Sequence, residues 1–368
     1  MTADTIGGVW TYALDLSRNL VAQGTQVVLA TMGAPVQPGQ RLQLARLGPG
    51  VVLCESHLKL EWMDDPWADV ADAGEWLLNL ERRYRPDIIH LNGYAHAVLP
   101  WRAPVLVAGH SCVFSWWQAV KGTPPPSEWQ PYHAAVRAGL QCADLVVAPS
   151  RAMLALLAQH YGSPSRALVI PNGRDAVCPR GSKESVILNV GRLWDEAKNA
   201  AVLAAVAENL PWPVRLAGDA RDPRGRRTVF ENVQLLGVCS EEEIWREYQR
   251  ATLYVHPARY EPFGLSVLEA ALAGCALVLG DIASLRELWG GAAIFVPPDD
   301  PSALRSAIGD LIRNPRRREA LAENSLQRAR LFTTARMTRG YLSAYARLWL
   351  RPRTRVPAKV RTPTAVSA

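Results

Sequence analysis

Short apolar runs of four or five residues alternate along this chain with longer stretches whose apolar positions recur at helical spacing. In the first half the strand candidates are residues 26–30, 51–54, 87–91, 104–108, 145–148 and 167–170. In the second half they are residues 186–190, 214–217, 233–236, 252–255, 276–279 and 293–296. Helical patterns lie between most of them, as at 152–160 and 301–312. The alternation predicts an α/β fold built on parallel sheets. A cluster of turn formers, Pro171-Asn-Gly-Arg-Asp followed by Cys178-Pro-Arg-Gly-Ser182, divides the two series. No tandem repeat at solenoid spacing is visible.

Two strand-to-helix junctions carry chemistry. After the run ending at His256 comes Tyr260-Glu-Pro-Phe-Gly-Leu-Ser-Val-Leu-Glu269, which leads into a helical pattern. Glu261 falls in the turn and Glu269 in the first turns of the helix. In an open α/β sheet, ligands collect beyond the carboxyl ends of the strands. Gly264 permits close backbone approach, and amides at a helix start favour anionic oxygen. Such amides beside two carboxylates suit a molecule bearing both phosphate and hydroxyls, such as a sugar nucleotide. A carboxylate N-cap and a helix-face Glu are the plainer reading of the same spacing. Upstream, the uncharged run Ser185-Val-Ile-Leu-Asn-Val190 ends in Gly191-Arg-Leu-Trp-Asp-Glu-Ala-Lys-Asn199, after which a helix begins. Arg192 and Lys198 add two cations to a loop that the helix dipole already makes positive, which favours diphosphate binding over solvated surface charge.

Together, Gly191-Arg192 … Lys198-Asn199, Glu261-Pro-Phe-Gly-Leu … Glu269-Ala and Ala273-Gly274 resemble the donor half of the retaining glycosyltransferases of family 4. These are the group 1 glycosyltransferases, which include glycogen-synthase-like and phosphatidylinositol-mannosyltransferase-like enzymes. The resemblance runs from Gly7-Gly8 to about Tyr345. It implies the GT-B fold, two Rossmann-like domains facing each other across a cleft. Residues 1–175 would form the acceptor side and 176–335 the donor-nucleotide domain, with 336–350 a C-terminal helix crossing back to the first domain.

The resemblance further implies a metal-independent hexosyltransferase that moves a sugar from a UDP-, GDP- or ADP-sugar to an acceptor hydroxyl with retention, using no cofactor. The diphosphate would leave from the front face and help to deprotonate the acceptor. Arg192 and Lys198 would hold the diphosphate, and Glu269 would accept from the ribose hydroxyls. Glu261 would sit beside the donor sugar, with the amides of Phe263, Gly264 and Leu265 touching sugar and phosphate. Gly7 and Gly8 would form the glycine loop facing the donor phosphates. His110 matches a histidine that contacts the donor sugar, followed here by Ser111 where the family usually has Asp. No Asp-x-Asp occurs to chelate a metal against the diphosphate. Two other readings stay open: a sugar-nucleotide epimerase on the same fold, and a catalytically silent module that retains the donor site.

One feature departs from this pattern. The chain opens Met1-Thr-Ala-Asp-Thr-Ile-Gly7-Gly8, and a helical pattern starts at once. A Rossmann-like half should place a central strand directly before such a glycine turn. The few residues available are fewer than a strand and its connection usually take. Either the true start lies upstream and Met1 is an internal codon, which is the preferred reading, or this half lacks its first strand; on both, the first strand is missing from this sequence. His90 reads as structural, and Asn92 and His96 as acceptor-side candidates. Trp10 and Trp76 read as core, whereas Trp116 and Trp117, close to His110, suit either core or a sugar-stacking face.

Composition narrows the classes. A chain of 368 residues accommodates two domains, and 49% hydrophobic with 20% charged residues excludes a disordered or membrane-embedded protein. No apolar run is long enough to cross a bilayer, and the first residues lack the layout of a signal peptide. The six scattered Cys contain no Cys-x-x-Cys and fit a reducing, cytoplasmic setting. The net charge of +7 is uneven: residues 313–368 hold fourteen Lys/Arg against two Glu, leaving 27 basic against 32 acidic residues before them. The basic, proline-containing stretch 351–368 is expected to be disordered. Its charge suits peripheral contact with the anionic inner face of a membrane as well as a solubilising role, and nucleic acid is not expected as a partner.

Overall fold

The computed structural model describes residues 1–175 and 181–350; the tail 351–368, expected to be disordered, lies outside the described residues. The first half holds strands β1 (Thr2–Asp4), β2 (Val27–Met32), β3 (Val51–Glu55), β4 (Ile89–Leu91), β5 (Val105–Ala108), β6 (Leu145–Ala148) and β7 (Ala167–Val169). The second holds β8 (Glu184–Val190), β9 (Val214–Ala217), β10 (Gln234–Gly237), β11 (Ala251–His256), β12 (Ala276–Gly280) and β13 (Ile294–Val296). All pairings between these strands are parallel. Their near-continuous apolar sequences follow from this, because helices cover both faces of each sheet and leave strands such as β5, β6 and β12 wholly buried.

The second sheet runs β10-β9-β8-β11-β12-β13. In the first half, β3-β2-β1 and β4-β5-β6-β7 are joined by Asn92, just past β4. Its backbone N–H donates to Thr2 Oγ1 at 2.8 Å and its side-chain amide to the Thr2 carbonyl at 2.7 Å. Both halves thus share one doubly wound order, with direction reversing between β1 and β4 and again between β8 and β11. Crevices at such reversals are where this kind of sheet binds ligands. The fold is α/β with two Rossmann-like domains, as the sequence implies.

The expectation of a missing first strand is overturned. Thr2, Ala3 and Asp4 pair in register with Ala30, Thr31 and Met32. Three residues suffice because Asn92 supplies the lateral contacts on the other side, and because the connection to the glycine turn is compressed. Asp4 Oδ1 accepts from the Ile6 amide at 2.8 Å, and the Thr5 hydroxyl donates to the Ala34 carbonyl at 2.7 Å.

Helix Thr334–Trp349 packs on helix Gly8–Ala22 and brings Met337, Tyr341 and Leu348 into the first-half core. His90 is buried and bonded to the hydroxyls of Tyr345 (2.6 Å) and Tyr12 (3.3 Å), which makes it structural. Trp10 is core, and Trp76 is partly buried against core. The halves also meet directly. Tyr260, from the loop after β11, is 6% exposed and enters the first-half core, where its hydroxyl meets Ser111 Oγ at 3.1 Å and the Cys112 amide at 3.3 Å. Trp116 Nε1 donates across the gap to Asp195 Oδ1 at 2.9 Å, so this indole clasps the two domains together.

Replacing Tyr260 should therefore loosen one domain against the other. Tyr260→Phe is expected to cost about 1 kcal/mol through the lost hydrogen bonds. Tyr260→Ala is expected to cost about 3–5 kcal/mol through the cavity. Urea denaturation measures both, and an Ala variant as stable as the Phe variant would contradict the packing role.

Candidate functional site

The loop after β8 starts the site. Gly191 turns the chain, Arg192 follows, and Asp195 lies three residues on with a buried side chain. Asp195 Oδ2 accepts from Arg192 Nη2 at 2.9 Å, while Oδ1 takes the Ala197 amide at 3.0 Å as well as the Trp116 indole. Burial would raise the Asp195 pKa, but Lys198 and Arg192 outweigh it and hold the carboxyl below its usual range. Asp195 thus fixes Arg192 in the cleft. The Arg192 side chain stays 40% exposed, yet its Nε is buried without a hydrogen-bond partner. Asn199, in the left-handed region at φ 56°, starts helix Ala200–Ala207, and its amide ties the carbonyls of Pro257 and Pro298 at 2.9 and 2.7 Å.

The loop after β11 supplies the carboxylates. Glu261 Oε2 accepts from Lys198 Nζ at 2.7 Å, with both side chains largely buried. His256, wholly buried at the end of β11, lies 3.3 Å from the same oxygen. The Asn189 side-chain amide faces His256 Nδ1 at 3.4 Å, which leaves the proton on Nε2 to be donated to Glu261. Burial would raise the Glu261 pKa, but Lys198 and His256 together hold the carboxyl well below the usual range. Gly264, at φ 85°, adopts a backbone few other residues tolerate and opens helix Leu265–Leu272. The Phe263 ring packs against Phe332 in the core, leaving only its backbone for a ligand. On that helix, Glu269 Oε1 accepts from Arg174 Nε at 2.9 Å and Oε2 from the Tyr248 hydroxyl at 3.1 Å. Burial raises its pKa, and Arg174 and Tyr248 offset part of the rise.

The first domain faces these groups across the cleft. Gly7 has φ 77°, and a Cβ there would sit 3.2 Å from Arg192 Nη1. A Cβ on Gly8 would sit 3.5 Å from Leu265 Cδ1. The glycine turn therefore closes directly over the Arg192 loop and the start of helix Leu265–Leu272. His110, beyond β5, donates from Nε2 to Asn92 Oδ1 at 2.9 Å, since the Asn92 amide nitrogen is already engaged with Thr2. Burial pushes its imidazole pKa down to about 4, so it is neutral at physiological pH with Nδ1 as the bare nitrogen. His96 bonds the Val70 carbonyl at 3.0 Å and is a structural group.

Arg192, Lys198, Glu261, Gly264, Leu265, Glu269, Gly7 and Gly8 thus converge on the two reversal points, with His110 beside the first. The sequence reading missed Asp195, His256, Asn189, Tyr248 and Arg174. Asp195 had a signal in its spacing from Arg192. His256 lies only five residues before Glu261, whereas Asn189, Tyr248 and Arg174 act through partners distant in the chain.

Residues 6–177 match the family model described as Glycosyltransferase Family 4, and residues 176–328 match Glycosyl transferases group 1. O-antigen chain mannosyltransferase B of Escherichia coli is 30% identical over 122 residues, 33% of this chain and 32% of that protein. The matched stretch thus spans about a third of that relative's length. Sucrose-phosphate synthase from Thermosynechococcus elongatus has a TM-score of 0.79 at 20% identity, over 93% of this chain and 94% of its own. HepE from Anabaena, solved in complex with UDP-glucose, has a TM-score of 0.71 at 18% identity, over 93% and 96%. The shared fold is GT-B.

Asp4, at the end of β1 beneath the glycine turn, gives a pH test. Burial raises its pKa from 3.8 to about 6, against the pull of the Ile6 amide and Arg192. The folded state therefore favours the protonated acid, and the resulting destabilisation grows as pH rises from about 4 and is complete above about 6. Asp4→Asn keeps the Oδ1 acceptor and removes the titration. It should stabilise the protein at pH 7.5 by about 1–3 kcal/mol and leave stability near pH 4 unchanged. Equal effects at both pH values, read by denaturation, would count against a buried acid.

Proposed function

Because this chain belongs to the family 4, group 1 glycosyltransferases, we propose that it transfers a sugar from a nucleoside diphosphate sugar to an acceptor hydroxyl, with retention and without a metal ion. The observation that carries this reading is the Lys198–Glu261 pair, 2.7 Å apart and buried where β8 and β11 diverge, with Arg192 and the glycine turn above it. A carboxylate kept anionic beside two cations and a helix start suits an anomeric carbon that gains positive charge as its diphosphate leaves.

Arg192 and Lys198 hold that diphosphate, and the unpaired Nε of Arg192 is a donor such an anion would satisfy. The amides at the start of helix Leu265–Leu272, including those of Phe263, Gly264 and Leu265, add partial positive charge at the same place. Glu269 receives the ribose hydroxyls. His110, neutral and fixed by Asn92, presents Nδ1 to a sugar hydroxyl. Gly7 and Gly8 let the first domain close over the phosphates. HepE, of the same fold, binds UDP-glucose, which supports a nucleotide-sugar donor. The donor is a UDP-, GDP- or ADP-hexose, and the acceptor is a hydroxyl of a glycan, lipid or small molecule bound on the first domain. The site of action is the cytoplasm or the inner membrane face; no helix among the described residues is long and apolar enough to cross a membrane.

Charge-assisted hydrogen bonds contribute roughly 1.5–3 kcal/mol, so Arg192→Ala or Lys198→Ala should weaken binding of donor and free nucleoside diphosphate by about tenfold or more. Activity should survive EDTA. Calorimetry showing unchanged diphosphate affinity in Arg192→Ala would remove it from this role.

The two glutamates should fail in different ways. Glu269→Gln should raise the donor KM, since ribose contacts act equally in ground and transition states. Glu261→Gln should lower kcat with little change in donor affinity. Steady-state kinetics separates the two, with the product's anomeric configuration read by NMR. An inverted product would refute retention, and hydrolysed or isomerised donor without transfer would favour the epimerase reading.

A further inference from the structure

Both passages of the chain between the domains meet at one point. The first runs through Pro171-Asn-Gly-Arg-Asp175, and the return lies at Phe332-Thr333-Thr334. The Arg174 amide donates to the Phe332 carbonyl at 3.0 Å, and a Cβ on Gly173 would lie 2.2 Å from the Thr333 carbonyl oxygen. From this crossing the Arg174 side chain, only 8% exposed, reaches three carboxylates on three helices. Its Nη1 donates to Asp15 Oδ2 at 2.7 Å, on helix Gly8–Ala22 of the first domain. Its Nη2 donates to Glu241 Oε1 at 2.5 Å, in the first turn of helix Glu241–Arg250. Its Nε donates to Glu269 Oε1 at 2.9 Å.

We propose that Arg174 is a positioning residue of the donor site: it sets the carboxylate of Glu269 for the ribose hydroxyls and ties that setting to the first domain through Asp15. This role rests on the ribose assignment of Glu269. A carboxylate offers about four acceptor positions. Arg174 and Tyr248 occupy two, so a ribose diol can be bound without displacing either. Arg174 Nε and the Tyr248 hydroxyl hold one oxygen each of Glu269, and the rigid guanidinium serves its three carboxylates from three separate nitrogens, where an ammonium would have to reach all three from a single one. Stability alone gives little reason for the cluster, since buried ion networks are often replaced by apolar groups without loss. Three carboxylates drawn together also repel one another, and among the described residues the cations paired with them are Arg174 and Arg18, the latter 3.3 Å from Asp15 Oδ1. Removing the guanidinium would drive Glu269 away from its setting.

The test titrates UDP, GDP and ADP into the full-length protein by calorimetry, then carries the tightest forward beside inorganic pyrophosphate, which has no ribose. Arg174→Lys and Arg174→Met should weaken the nucleoside diphosphate at least tenfold while changing pyrophosphate affinity less than twofold. Asp15→Asn, which alters a residue of the opposite domain, should weaken the nucleoside diphosphate about threefold, again sparing pyrophosphate. Donor KM should rise in Arg174→Lys with kcat retained. If Arg174→Lys and Asp15→Asn bind the nucleoside diphosphate as the wild type does, or lose pyrophosphate equally, the positioning role is wrong. Glu269→Gln run in parallel separates the two ideas. If it leaves nucleoside diphosphate affinity intact, the ribose assignment falls and the positioning role falls with it. If it weakens binding while the Arg174 variants do not, only the positioning role falls.

Discussion

An ionised glutamate buried at the floor of the cleft is the constraint on which the site depends. Desolvation alone would neutralise Glu261, and a neutral acid there would have no electrostatic use. Lys198 at 2.7 Å and His256 at 3.3 Å reverse that tendency, and each needs its own support. Lys198 is placed by the loop that Asp195 and Asn199 hold. His256 is oriented by Asn189, which also bonds the Val255 carbonyl at 2.7 Å. The charge on one carboxylate therefore reaches back into β8 and β11, the two strands that part to make the crevice.

The same arrangement brings the loops of the two domains together at one place. Each sheet reverses direction once, and each reversal ends in a loop with little side-chain bulk: Gly7-Gly8 in one, Gly264 in the other. Backbone amides and short contacts take the place of side chains there. Larger groups also join the domains: Tyr260, set into the first-half core, and Trp116, bonded to Asp195.

Much of this was legible in the sequence because it is local. Parallel strands buried on both faces read as apolar runs, and the strand candidates fall on the observed strands to within one or two residues. The motif residues are close in sequence because each set occupies one strand-to-helix loop. The failures are non-local. β1 was missed because three residues carry no periodicity, and its stability comes from Ala30 and Asn92, far along the chain. Arg174 reads in the sequence as one member of a turn because its partners are 159, 67 and 95 residues away. His256 reads as an ordinary strand residue although it lies only five residues before Glu261, and the pairing of β8 with β11 is what brings Asn189 against it.

The contact of Gly173 with Thr333 has a mechanical consequence. Two covalent passages pressed together act as a pivot, so any rotation of one domain on the other that preserves the contact must turn about that point. Displacement then grows with the length of the lever arm. Glu269, held to the pivot by Arg174, would hardly move. The surface ion pairs that link the domains at Lys121–Glu196 and Arg224–Asp64 would open with any larger swing, and both are exposed enough to break at small free-energy cost. The Glu269 end of the cleft is thereby built as the stationary end of a jaw.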